Sequence, residues 1–262
     1  MIMNLKIKFV GIGGGRRATL TQKIKTGGIY LEFSKNNIDT KLFLDPGVGA
    51  FTRALEQKIK FIKIDGLLVS HCHTDHINDA PVTIEAMTNT GRTKRAGMYC
   101  PKTVAEHISD YYKNCLEKVI TLRANEKFKI KNINIKTTKT IHTEKFNIGF
   151  ILEDFVGYTS DTIFTEHIAE QYKNLDVLIL NICFFKNPYK GKDLGFGQHM
   201  DAYDAVRFLK IAKPKACIMY HLGMSILNYG FEKTRNYIQS NSGVKTILPE
   251  IGKTYNPTLT VE

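Results

Sequence analysis

The sequence predicts a layered α/β domain in which mixed β-sheets are flanked by helices. Two observations lead to this fold class: strand-like runs come in two batches along the chain, and helical patterns accompany each batch. A third is the composition, because 43% hydrophobic and 24% charged residues are ordinary for a folded protein and exclude a disordered or fibrous chain. No linker or internal repeat divides the 262 residues, so we predict a single domain over residues 1–262.

The first batch of strands opens the chain, and its runs end at turn signals. The run Leu5–Val10 stops at Gly11, and Lys41–Leu44 stops at an Asp-Pro-Gly turn that begins with Asp45. Each of these turns marks the end of a strand in the predicted sheet. The other strand-like runs of this half are Ile29–Phe33 and Gly66–Val69, and its helical patterns are Ala50–Lys58 and Val104–Val119.

The second batch combines apolar strands with a meander. Val177–Ile182, apart from Asn181, and Ala216–Tyr220 are apolar, which is typical of central strands that are covered on both faces. Between them lies the helical pattern Ala202–Ile211, in which apolar residues recur every three to four positions. The remaining runs, which are typical of a meander, are Asn132–Thr137, Phe146–Glu153 and Phe155–Tyr158.

Charge and cysteine content bear on partners and location. The 37 Lys and Arg residues exceed the 25 Asp and Glu residues by 12, which favours a phosphate-bearing partner but is equally typical of a solvated lysine-rich surface. Five cysteines without a CxxC pair exclude a disulfide framework or a zinc knuckle.

The longest apolar stretch, residues 177–185, is about half of the roughly 20 residues that cross a bilayer. We predict no membrane span and, without a targeting segment, a cytoplasmic protein.

The motif with the strongest chemical content is His71-Cys72-His73-Thr74-Asp75-His76, which follows a buried strand. In extended backbone, residues two apart face the same side, so His71 and His73 can converge on one ion. The chain then turns and presents Asp75 and His76 to a neighbouring point. Imidazole and carboxylate donors without thiolate suit Zn²⁺, Mn²⁺ or Fe²⁺ and differ from thiolate-rich structural zinc sites. We therefore predict two adjacent metal positions with open coordination sites.

Three more polar side chains, His142, Asp161 and His221, lie at the ends of later strands. Taken singly, each is more typical of a turn residue than of a metal ligand. In this order, after the His71–His76 motif and the turn at Asp45, the set resembles the metallo-β-lactamase superfamily over nearly the whole chain.

The resemblance implies a four-layer αβ/βα sandwich of two mixed β-sheets flanked by helices, with a dinuclear metal site at one edge. It implies that Asp161 bridges the two ions and that Asp45 positions ligands without binding metal. The implied ligands of the first ion are His71, His73 and His142, and those of the second ion are Asp75, His76 and His221.

The expected chemistry of such a site is hydrolysis. Two divalent ions about 3.5–4 Å apart would share a hydroxide that forms near neutral pH. We expect Zn²⁺, with Mn²⁺ or Fe²⁺ as alternatives. Asp75 is the candidate catalytic carboxylate, because it would lie beside that water and orient it or take its proton.

Within the superfamily, the chain is most similar to the phosphodiesterase branch that includes tRNase Z and the cyclic-phosphate phosphodiesterases. Three segments carry this similarity: the glycine-rich residues 11–17, the loop and helix start at residues 197–205, and the strand end at residues 219–222. His199 is therefore a second candidate catalytic residue, which would hold the scissile phosphate or protonate the leaving oxygen, with a simple helix-cap role as the alternative.

Three residues are candidates for substrate binding. Arg16 and Arg17 end the glycine-rich segment and are available to pair with phosphate. Asn181 stands where tRNase Z would carry an acidic residue, which is a departure from that enzyme, and we include it with the two arginines. The predicted substrate is a phosphodiester, and whether it is RNA stays open, as does formation of a homo-oligomer.

Other activities of the same fold remain alternatives. A carbonyl hydrolase of the lactonase, thioesterase or β-lactam type would use the same hydroxide on an acyl centre. A diiron oxidoreductase usually replaces the second motif histidine by Glu, and His73 argues against it. A non-catalytic RNA-binding relative should have lost ligands, whereas all seven ligand positions are filled here.

Overall fold

The computed structural model describes residues 3–192 and 198–256, and Gly197 of the predicted catalytic loop lies outside these residues. Two seven-stranded β-sheets form its centre. Both sheets are mixed, because each contains antiparallel and parallel neighbours. The predicted α/β sandwich of two mixed sheets flanked by helices is confirmed.

The first sheet has the order β14-β1-β2-β3-β4-β5-β6. Its antiparallel part holds β14, β1, β2 and β3, and the strands from β3 to β6 run parallel. The strands are β1 (Met3–Phe9), β2 (Ile29–Lys35), β3 (Ile38–Leu44), β4 (Gly66–Leu68), β5 (Arg95–Cys100), β6 (Leu116–Thr121) and β14 (Thr254–Tyr255).

The second sheet has the order β13-β12-β11-β10-β9-β8-β7. Here the strands from β7 to β10 are antiparallel neighbours, and those from β10 to β13 run parallel. The strands are β7 (Lys127–Ile130), β8 (Ile133–Lys139), β9 (Ile148–Leu152), β10 (Val156–Tyr158), β11 (Val177–Asn181), β12 (Ala216–Tyr220) and β13 (Lys245–Ile247).

The main core lies between the two sheets. Side chains that alternate along the strands, such as Ile7 and Phe33 of the first sheet and Phe150 and Ile179 of the second, pack into one buried cluster. Helices bury the outer face of each sheet in two further clusters. The helices are α1 (Arg16–Thr21), α2 (Ala50–Glu56), α3 (Thr74–Ile77), α4 (Ala80–Met87), α5 (Lys102–His107), α6 (Asp110–Cys115), α7 (Glu166–Glu170), α8 (Ala202–Ala212), α9 (Met224–Tyr229) and α10 (Phe231–Ser242), with a 3₁₀ turn at Phe61–Lys63.

The predicted helix Val104–Val119 is wrong. Ile108 and Ser109 have extended backbone, with ψ angles of 127° and 155°, so the helix breaks there into α5 and α6. From Leu116 onward the chain pairs with β5 as strand β6. Pairing with a neighbouring strand therefore overrides the apolar periodicity of this segment.

The sequence patterns did not predict several short elements. The strand predicted over Phe146–Glu153 spans only Ile148–Leu152, because pairing with β8 starts at Ile148, and the residues before it form a turn closed by the bond from Asn147 N to Glu144 O. The unpredicted elements are β5, β6, β7, β13, β14, α1, α3, α4, α7, α9 and α10.

In the part of the chain that the structure describes, no helix has both the length and the apolar character to cross a membrane.

Candidate metal centre

The predicted ligands converge at one edge of the sandwich, on loops that follow strand ends. The His71–His76 motif comes just after β4, and His221 directly follows β12. Asp161 follows β10 and His142 follows β8. The ends of neighbouring strands meet at a common edge, which is where α/β sheets generally bind ligands. All seven predicted ligands thus lie in two adjoining groups.

The first group consists of four side chains whose donor atoms all lie within 4.8 Å of one another. His142 Nε2 is 3.1 Å from His73 Nδ1, and His71 Nε2 is 3.7 Å from Asp161 Oδ2. The Nδ1 of His142 lies 3.0 Å from the carbonyl oxygen of Gln198 and can donate to it, which leaves Nε2 facing the group. The members are His71, His73, His142 and Asp161.

The second group consists of Asp75, His76 and His221, again within 4.8 Å. The His221 Nε2 atom is 3.1 Å from Asp75 Oδ2 and 3.2 Å from Asp161 Oδ2. His76 Nε2 is 3.3 Å from the same Asp161 oxygen. One carboxylate oxygen of Asp161 therefore faces histidine nitrogens from both groups.

Unsatisfied buried nitrogens test whether these residues fit a metal. His71 and His76 are buried, and the Nε2 atom of each has no hydrogen-bond partner among the described residues. Burying such atoms costs free energy unless a partner or a cation satisfies them. Because the donors are imidazoles and carboxylates, the two groups fit divalent ions such as Zn²⁺.

Electrostatics keeps both carboxylates charged. Burial opposes ionisation of Asp161, but His221, His76 and His199 hold its pKa well below the usual range. Burial likewise opposes the charge on Asp75, and His76 and His221 outweigh it, so its pKa is also far below the usual range. In the first group, burial lowers the pKa of His142 to about 4. A neutral imidazole has the free lone pair that a metal requires.

Asp45 lies behind the second group and orients His76. Its carboxylate is fully buried and accepts hydrogen bonds from Ser70 N at 2.7 Å, Ser70 Oγ at 2.7 Å and Tyr158 Oη at 2.7 Å. The Nδ1 of His76 donates to Asp45 Oδ2 at 2.8 Å. This bond fixes the tautomer that leaves Nε2 of His76 free to face the second group.

Replacing Asp45 by asparagine should weaken metal binding. In either orientation the new amide would place an N–H₂ group against a donor, which is Ser70 N at the Oδ1 position or His76 Nδ1 and Tyr158 Oη at the Oδ2 position, so the support of His76 would be disturbed. We expect the affinity for Zn²⁺ to fall by about 10- to 100-fold in a chelator competition titration. Tyr158→Phe is the matched control, since it removes one donor and keeps the His76 bond. Unchanged affinity in Asp45→Asn would contradict the orienting role.

The glycine-rich segment approaches the second group closely. The backbone N–H of Gly15 donates to Asp75 Oδ2 at 2.6 Å. A Cβ atom on Gly14 would lie only 2.0 Å from Cδ2 of His221. Glycine is required there because its backbone lies directly against the ligand ring.

His199 stands beside the ligands without belonging to either predicted set. Its Nδ1 is 3.6 Å from Asp161 Oδ2, and its ring centroid lies 4.9 Å from that of His142. The cap of α8 is Asp201, which accepts from the backbone N–H of Asp204, so His199 is not the capping residue. Burial lowers the pKa of His199 to about 3. The ring is therefore neutral at pH 7 and has one N–H to donate.

A cavity of about 930 Å³ opens over the ligands. His199 lines it, and so do Arg16 and Arg17 from the exposed first turn of α1. Asn181 is not among its lining residues and is 3% exposed. The Nδ2 of Asn181 instead donates to Asp161 Oδ1 at 2.9 Å, so the structure gives Asn181 a contact with a ligand in place of the predicted contact with substrate.

Other residues of the site were not predicted from sequence. Cys183 lies with His199 and His221 in a third set of possible donors within 4.8 Å. Its only sequence signal is its place two residues after β11, at the same sheet edge as His221. Asn147 donates to the backbone carbonyl of Asp161 at 2.6 Å, and no local pattern marks it.

Comparisons with known proteins agree with this geometry. The sequence profile of the Beta-lactamase superfamily domain matches residues 40–222. An uncharacterized protein of Methanocaldococcus jannaschii is 35% identical over 264 residues, covering 95% of this chain and 94% of that protein. Ribonuclease Z of Sulfolobus acidocaldarius is 22% identical over 267 residues, covering 83% and 87%. The metallo-beta-lactamase fold protein YhfI from Bacillus subtilis has a similar structure, with a TM-score of 0.78, 22% identity and coverage of 97% and 100%.

Proposed function

The chain belongs to the beta-lactamase superfamily of metal-dependent hydrolases, and from this premise we propose that it is a dinuclear phosphodiesterase of the ribonuclease Z-like branch. One observation carries the proposal. The two ligand groups share Asp161 beneath a cavity that also presents Arg16, Arg17 and His199. The ester or amide group that an acyl hydrolase attacks is neutral, whereas the phosphodiester group itself offers anionic oxygens to two guanidinium groups.

The ligand groups support two ions, for which we propose zinc. The first would be held by His71, His73 and His142, and the second by Asp75, His76 and His221, with Asp161 between them. When bound, divalent ions supply Lewis acidity and make a water-derived nucleophile available near neutral pH.

The chain's own residues contribute orientation and proton handling. Asp75 is ionised and accepts a hydrogen bond from Gly15 N, so its carboxylate is held beside the second group, where it would orient the attacking water. His199 lines the cavity, and its N–H would donate to an oxygen of the scissile phosphate. Arg16 and Arg17, which line the same cavity, would bind the same anion.

We propose a cytoplasmic setting. All five cysteines are free thiols in the structure, which is the usual state of cysteines in a reducing compartment. RNA remains the candidate substrate that the ribonuclease Z relatives suggest, together with smaller phosphodiesters.

Hydrolysis of model substrates tests the proposed function. Protein loaded with Zn²⁺ or Mn²⁺ is assayed with bis-p-nitrophenyl phosphate, a lactone and a thioester, and Asp75→Ala serves as the blank. We expect phosphodiester turnover that the blank lacks. Turnover of the acyl substrates alone would keep the metal site but establish the carbonyl-hydrolase alternative.

Gly14→Ala should reduce turnover of bis-p-nitrophenyl phosphate by about 100-fold. The added Cβ would force the ring of His221 to move, and misplacing a catalytic group by about 1 Å has an effect of this size. Gly243→Ala is the control, because a Cβ there meets nothing within 4 Å although φ is 75°. That variant should lose some stability in a thermal melt and keep its turnover. Equal rates for Gly14→Ala and the unmodified protein would contradict the close packing described above.

A further inference from the structure

A second concave site lies on the outer face of the first sheet. Its volume is about 330 Å³, and it shares no lining residue with the cavity over the metal ligands. Strands β1, β2 and β3 form its floor, and the segment from residue 57 to 63 forms one wall. We call it the lysine cleft, after its six lysines: Lys6, Lys8, Lys41, Lys58, Lys60 and Lys63.

Strand alternation places lysines on the floor. Leu5 and Ile7 point into the core between the sheets, so Lys6 and Lys8 point outward. The wall is held by Phe61, whose ring packs edge-on against Phe43 at 5.3 Å. This contact fixes the 3₁₀ turn against the sheet and places lysines of the wall above those of the floor.

Charge in the lysine cleft is almost uncompensated. Glu32 is the single carboxylate among the lining residues, and it already accepts from Tyr30 Oη at 2.8 Å and pairs with Lys41 at 3.5 Å. Elsewhere, lysines such as Lys35 and Lys131 have carboxylate partners at 2.6 and 2.8 Å. Among the described residues, five lysines of the cleft have no ion pair or side-chain hydrogen bond: Lys6, Lys8, Lys58, Lys60 and Lys63.

We propose that the lysine cleft binds the phosphate backbone of a nucleic acid, away from the metal ligands. Ammonium groups are non-directional point charges, and here they are spread over a floor and a wall, which suits an extended polyanion. Such contacts bind and orient a strand without reading its bases. Ile59 is the one aliphatic lining residue and is buried, and the exposed Ile62 of the same segment does not line the cleft, so the lining itself offers no apolar side chain to a lipid bilayer. This binding does not depend on the proposed hydrolysis.

Fluorescence anisotropy tests the proposal with metal-loaded protein and a labelled single-stranded RNA. The RNA is methylated at its 2′ oxygens and is checked on a gel to remain intact. The wall variant is Lys58→Gln, Lys60→Gln and Lys63→Gln, and the floor variant is Lys6→Gln and Lys8→Gln. The control carries the same change at three exposed lysines outside the cleft, Lys118→Gln, Lys210→Gln and Lys245→Gln.

We expect the wall variant to bind at least about 10-fold more weakly at low salt, and the control to change little. The slope of log K against log salt should become shallower by about 2, at about 0.7 for each phosphate that the variant no longer neutralises. The floor variant should also bind RNA more weakly and with a shallower salt dependence. Turnover of bis-p-nitrophenyl phosphate should be equal in all variants. Because RNA binding and turnover are measured separately, an absence of hydrolysis would contradict the proposed function and leave the test of the lysine cleft intact.

Two results would overturn the proposal. Equal weakening in the wall variant and the control would mean that net charge alone governs binding. Loss of binding to phosphatidylserine vesicles with unchanged RNA binding would instead assign the lysine cleft to a membrane surface.

Discussion

Asp161→Ala is expected to lose metal and turnover together. One oxygen of Asp161 lies within 3.3 Å of both His76 Nε2 and His221 Nε2 and within 3.7 Å of His71 Nε2. Without this carboxylate, the imidazoles of both groups face one another with no negative charge between them. We expect zinc content after dialysis to fall well below two ions per chain. Phosphodiester turnover should fall by about 10³-fold or more, since bound ions supply several kcal/mol of transition-state stabilisation.

Two companion variants make this result interpretable. Asp110→Ala removes an exposed carboxylate in α6 and should keep full zinc content and turnover. Asp161→Asn preserves the shape of the side chain, so it should fold as the parent does and still lose metal. Mass spectrometry of the metal content and thermal unfolding with and without Zn²⁺ provide the measurements. Retention of two ions in Asp161→Ala would contradict the central place of this carboxylate.

The convergence of the ligands was predictable because each lies in a short segment at a strand end. His71, His73, Asp75 and His76 fall within six residues, so local backbone geometry alone brings them near each other. The environment of Asp161 was not predictable in the same way. Its contact with Asn181 joins the loop after β10 to the last residue of β11, 20 positions away, and that contact depends on the sheet order β10-β11.

The fold likewise has elements that local sequence predicts and elements that depend on contacts between distant segments. Mainly apolar strands such as β11 and β12 were recognisable because both of their faces are buried. Strand β6 was not, since four of its six residues are exposed and only pairing with β5 makes it a strand. The sequence shows an excess of 12 positive charges but not where they lie. Six lysines line the lysine cleft because β1 packs near the segment 57–63.

His199→Ala is expected to lose turnover while it keeps both ions. The ring lines the cavity, and His199 belongs to neither of the two groups that contain the seven predicted ligands. Removing a hydrogen-bond donor to the developing phosphate charge lowers kcat by about 10²–10³-fold. His107→Ala, on the exposed part of α5, should leave the rate unchanged.

The metal content of His199→Ala decides between two roles of this residue. Cys183, His199 and His221 also lie within 4.8 Å of one another, so a ligand role is the competing explanation. If His199 acts on the phosphate, two zinc ions remain in the variant, and His199→Gln recovers part of the rate because its amide donates a hydrogen bond. If His199 is a ligand, zinc is lost in the alanine variant. Loss of turnover with retained zinc therefore separates action on the substrate from metal binding.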